Sequence, residues 1–132
     1  MSTAPRRLHP ALAFGHDLVA VLVFCAVGRA SHQEEATFAG YLMTVWPFAL
    51  ALAVATAIVL ATRRLRPETF AAGGIVWIVT VALGMILRAV SGQGTALPFV
   101  IVATITLAVF FSVWRLVILI ARRAQARRAD QV

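Results

Sequence analysis

The chain has 132 residues, 61% of them apolar and 13% charged, with a mean hydropathy of +0.91. Its formal net charge of +7 is carried by arginine, since there is no lysine. This length makes one domain, and the apolar excess excludes a water-soluble fold. The basic balance, which would point to nucleic acid in a soluble chain, becomes a question of which membrane face the charges occupy, and no nucleic-acid partner is expected.

Residues 1–9 form a short polar lead that includes Arg6 and Arg7. The first apolar segment predicts a span over about residues 10–29, with Pro10 in the first turn, where its missing N–H costs little. A cleaved signal peptide is opposed by Asp17 inside the apolar run and by Arg29 at the would-be cleavage site. Cys25, the single cysteine, excludes an intrachain disulfide. The polar stretch Arg29–Thr37 follows.

A second span is predicted over 38–62. It contains Trp46-Pro47, where a kink is expected, and alanines 49, 53 and 57 in one four-residue ladder with 51 and 55 in another. Arg63–Pro67 reads as a tight turn, and Thr69 as the cap of a third span over 70–88. In that span Gly73, Trp77, Thr80, Gly84 and Arg88 share one face, small and polar enough to be turned toward the other helices. A glycine-rich loop, Ser91–Thr95, leads to Pro98 and a fourth span over 97–121. The basic tail 122–132 is expected to fray in water.

Each segment has the roughly 17–25 residues that a helix needs to cross about 30 Å of hydrocarbon. The predicted fold is all-α: a transmembrane four-helix bundle, one domain over residues 1–132. Arg6, Arg7, Arg63, Arg64, Arg66, Arg122, Arg123, Arg127 and Arg128 all fall at one end, whereas the other loops hold Arg29 and Arg88. The positive-inside rule then puts both termini in the cytoplasm, with the arginines facing anionic lipid headgroups.

Ionisable residues within spans are costly and face a bundle interior or a wet cavity. Asp17 lies about seven residues, or ~10 Å, into the first span. Arg115 lies seven residues before Arg122 and so at a similar depth. The two are expected to form an intramembrane charge pair, each offsetting much of the other's desolvation, unless Arg115 snorkels to the surface beside Trp114. His16 neighbours Asp17 in sequence but points about 100° away around the helix, which weakens a proton-relay reading. At the opposite end, Arg29, His32, Arg88 and Gln93 form a candidate polar site, because arginine matches an anion or carboxylate in a bidentate fork. Glu34 and Glu35 offer the simpler alternative of loop salt bridges.

No metal-ligand spacing, nucleophile motif or phosphate loop is present, so no cofactor, metal site or enzyme class is expected. Arg29-Ala-Ser31-His32-Gln33 is faintly echoed by Arg88-Ala-Val-Ser91-Gly92-Gln93, too briefly to prove a repeat.

Asp17, Gly28-Arg29-Ala-Ser31-His32, Trp46-Pro47-Phe48, Trp77 to Thr80, Gly84 to Arg88, Gly92-Gln93-Gly94-Thr95-Ala96 with Phe99-Val100, and Trp114-Arg115 together resemble a set of small four-span prokaryotic membrane proteins. That set is the domain of unknown function numbered 3054. The resemblance covers roughly Asp17 to Arg115 and implies a multipass protein of the prokaryotic inner membrane, with no activity to carry over. Two functions compete beside it. One is a small transporter or channel subunit, acting as a homo-oligomer because four short helices enclose little space. The other is an accessory protein that binds other membrane proteins. An intramembrane enzyme using His16 and Asp17 ranks last.

Overall fold

A computed structural model describes residues 6–31 and 35–131. Four helices account for most of them: α1 (Pro10–Ser31), α2 (Phe38–Thr62), α3 (Phe70–Val90) and α4 (Leu97–Ala129). Their 22, 25, 21 and 33 residues give lengths of about 33, 38, 32 and 50 Å at 1.5 Å per residue. All four are long and apolar enough to cross a bilayer.

Local chemistry sets the helix ends. Thr37 and Thr69 sit in extended backbone and accept hydrogen bonds from Gly40 N–H (3.1 Å) and Ala72 N–H (3.3 Å), capping α2 and α3. Pro98 takes the first turn of α4. After α3 the chain turns at Gly92, whose φ of +75° suits a residue without a β-carbon. The α2 terminus instead uses Arg63 in the left-handed region, held by its N–H on the Leu60 carbonyl at 3.2 Å.

α2 continues through Pro47, as expected of a span beginning at Phe38, although proline removes the donor that would meet the Met43 carbonyl. One local expectation changes. The basic tail does not fray before Ala129, because alanine and arginine are strong helix formers and Arg127 and Arg128 suit the negative end of the helix dipole.

The helices form a ring in which each packs on two neighbours: α1 on α2 and α4, α3 on α2 and α4. The α2–α3 seam is the tightest. Ala51, Ala55 and Ala72 are fully buried there, so the 51/55 ladder makes the close approach while Ala53 and Ala57 face outward. Val21, Phe24, Phe48, Leu52, Leu107 and Phe111 fill the centre. On α3, Gly73, Thr80 and Gly84 are buried, and a β-carbon on Gly84 would stand 2.7 Å from the Phe48 ring. Tyr41 Oη donates to the Leu22 carbonyl and Trp77 Nε1 to the Thr104 carbonyl, both at 2.8 Å, tying α2 to α1 and α3 to α4. Interhelical bonds of this kind average about 0.6 kcal/mol each, modest increments on a packed core.

Candidate functional site

Polar chemistry gathers at the two ends of the bundle. At the end that carries the termini, α1 presents Asp17 and α4 presents Trp114 and Arg115. Arg115 Nη1 and Nη2 donate to Asp17 Oδ1 and Oδ2, each at 2.8 Å, in a bidentate pair whose side chains are 1% and 2% exposed. Nη1 also donates to the Phe111 carbonyl at 2.9 Å, and the Pro67 carbonyl accepts from Nε (3.3 Å) and Nη2 (3.1 Å). A guanidinium has five N–H groups, and these bonds engage all of them. Trp114 Nε1 donates to Asp17 Oδ1 at 2.8 Å, and the Arg115 guanidinium lies 4.3 Å from the Trp114 ring centroid. The pair therefore joins α1, α4 and the α2–α3 loop, with each group's lost hydration replaced by fixed partners.

His16 does not join this network. Its ring stacks on Trp114 at 4.9 Å between centroids, and Nδ1 donates to the Leu12 carbonyl at 2.6 Å. The imidazole is exposed in an apolar groove between α1 and α4.

Beside the pair lies a second buried carboxylate that the sequence analysis passed over. Glu68 Oε1 accepts from Arg122 Nη1 at 2.8 Å and from the Leu8 N–H at 3.5 Å, and stands 3.9 Å from Arg66 Nε. Arg122 Nη2 reaches the Arg6 carbonyl at 2.8 Å, which fastens the N-terminal lead to α4. Burial alone would raise the Glu68 carboxyl. Hydrogen bonds from Arg122, its own backbone and Leu8, with the Arg122 charge, hold it below the usual carboxylate value. The available signal was a lone acid two residues after Arg66, with Arg63 and Arg64 just upstream, and directly before the Thr69 cap.

At the other end the structure brings Arg29, Arg88 and Gln93 to one cavity of about 330 Å³, also lined by Phe24, Cys25, Thr44 and Phe99. His32 and Gln33, with the proposed neutraliser Glu34, lie outside the described residues. The two arginines bond in parallel ways. Arg29 Nη2 donates to the Glu35 carbonyl at 2.7 Å; Arg88 Nε and Nη2 donate to the Gly94 carbonyl at 3.2 and 2.9 Å. Each thus clasps the loop six residues ahead of itself. Arg29 Nη1 then reaches Thr44 Oγ1 on α2 at 3.1 Å, and Arg88 Nη1 meets Gln93 Oε1 at 2.9 Å. The Arg88 guanidinium is 4.4 Å from the Phe99 ring centroid. A β-carbon on Gly40 would stand 2.6 Å from Arg29 Nη2, so glycine there admits the guanidinium.

The floor of this cavity is aromatic. Phe24 and Phe99 line it and buried Phe48 packs against both, with centroids 5.6 to 6.3 Å apart, while Leu52, Leu107 and Phe111 are almost fully buried in the core. Among the described residues no group of three His, Cys, Asp or Glu side chains is placed to hold a metal ion.

Four apolar helices packed around an apolar centre, with Asp17 and Arg115 buried together between them, define a four-span helical membrane protein. Residues 14–118 match the family described as protein of unknown function DUF3054, and the chain belongs to that family. No curated protein and no solved structure matches the chain significantly.

Proposed function

We propose that this protein is a small-solute binding subunit of the prokaryotic inner membrane, with both termini cytoplasmic, that receives an anionic or carboxylate-bearing solute at its outer end and serves a transporter or channel assembly. The convergence of Arg29, Arg88 and Gln93 on one cavity carries this reading. Two guanidiniums, an amide and backbone groups are the donors that oxyanions engage. The concentration of nine arginines at the termini end supports the orientation. The aromatic floor argues against conduction through a single chain, so a transport path belongs at contacts between copies or partner proteins.

A second reading is an accessory scaffold. It is favoured by the closed Asp17–Arg115 network, in which each donor of the guanidinium is engaged. The two readings separate in a thermal-shift series on purified protein in detergent, using acetate, succinate, citrate, phosphate and sulfate. Stabilisation by at least one, abolished by Arg88→Gln while the variant remains folded, is the expected result. No shift with any of them in the wild-type protein counts against solute binding and for the scaffold.

A further inference from the structure

We propose that the cavity between α3 and α4 at the termini end binds a glycerophospholipid headgroup combining a phosphodiester with a hydroxyl donor, the chemistry of phosphatidylglycerol. The cavity holds about 750 Å³ and is lined by Arg6, Arg66, Arg122, Arg123, Glu68 and Phe70. It lies where Thr62 has left α2 and Phe70 begins α3, at the level where a headgroup meets the helices. Four guanidiniums against one carboxylate make it an anion site, and basic pockets between spans are a recurrent answer to anionic headgroups.

Two further features narrow the ligand. The first is apolar: Ile118 and Leu119 join Phe70 along the wall, and Phe70 is 46% exposed. A free phosphate ion has no use for such a wall, whereas an acyl chain lies along it. The second is Glu68 Oε2, which is buried and has no hydrogen-bond partner among the described residues. A carboxylate oxygen in that position calls for a donor. Arg122 is fixed by its bonds to Oε1 and to the Arg6 carbonyl. Arg66 Nε stands 3.9 Å from Oε1, with a side chain 33% exposed. The hydroxyl of a headgroup whose phosphate meets the guanidiniums of this cavity is the donor that Oε2 calls for. The site depends on the bilayer placement proposed above but not on its orientation, and micelle measurements can fail independently of any topology experiment.

The test is native mass spectrometry of the full chain in detergent, titrated with short-chain phosphatidylglycerol, phosphatidylmethanol, phosphatidylethanolamine and inorganic phosphate. Phosphatidylmethanol carries the same charge without the hydroxyl. The wild-type protein is expected to bind phosphatidylglycerol about tenfold tighter than phosphatidylmethanol, the scale of one hydrogen bond to a charged group. Arg123→Gln should weaken both lipids alike, and Glu68→Gln should remove the preference between them. Equal wild-type affinity for the two lipids overturns the role of Glu68. Inorganic phosphate competing as well as the lipid overturns the headgroup, and tighter binding of phosphatidylethanolamine overturns the hydroxyl. Should Glu68→Gln fail to fold, the wild-type lipid comparison and Arg123→Gln still decide.

Discussion

The Arg115 side chain occupies the place where Gly73 would carry a β-carbon: such an atom would stand 2.8 Å from both Cδ and Nε of Arg115. Gly73 on α3 is thus the steric partner of a charge pair formed between α1 and α4. The next residue, Gly74, has nothing within 4 Å of the same added atom.

Gly73→Ala should therefore destabilise the protein by about 1–3 kcal/mol, because the arginine has to leave its rotamer and loosen its bonds to Asp17 and Pro67. Gly74→Ala should be neutral or stabilising by about 0.5–1 kcal/mol, since alanine is the better helix former. Thermal unfolding of the two variants in one detergent checks the contrast, and equal melting temperatures would refute it.

Removing one member of the pair leaves the other buried and charged. Asp17→Ala should cost about 3–5 kcal/mol, and Arg115→Leu in the same background should recover part of that loss. Yield and melting temperature of the two single variants and the double variant form the cycle. Strict additivity would mean that the side chains act independently, against the two 2.8 Å bonds between them.

Glu68 predicts an acid limit. Its carboxyl is held below the value it has in an unfolded chain, so its stabilising contribution is complete above that unfolded value of about 4.3. The contribution is lost as pH falls through the lower folded value. Stability should decline on acidification below about pH 4.3 in the wild-type protein and decline less steeply in Glu68→Gln. Melting curves from pH 7 to 3 read this directly.

Orientation is tested by reporters fused after Val132 and within residues 31–36. The nine arginines of the termini end predict cytoplasmic activity for the first fusion and external activity for the second. A C-terminal fusion active only on the outside would reverse the bundle.

The spans were legible because lipid imposes a length of uninterrupted apolar sequence, and each helix contains its predicted segment. The shared level of Asp17 and Arg115 was legible too, by counting seven residues onward from Pro10 and seven back from Arg122. Sequence did not carry what depends on a third element. The Pro67 carbonyl, Trp114 Nε1 and the space at Gly73 enter the pair only through packing of α4 against both α1 and α3. Glu68 escaped notice because a carboxylate beside arginines reads as a solvated loop, and only the fold reveals that the Arg122 side chain and the Leu8 N–H cover it. At the hairpin end, Arg29 and Arg88 donate to loop carbonyls at Glu35 and Gly94, which no side-chain pattern announces.

The order of synthesis gives the Asp17–Arg115 pair a further meaning. The partners are 98 residues apart, and the helix made first holds the acid while the helix made last holds the base. Among these four helices the carboxylate of α1 therefore has no guanidinium partner until α4 has been made and docked. Closing the ring of helices and neutralising that carboxylate are one event.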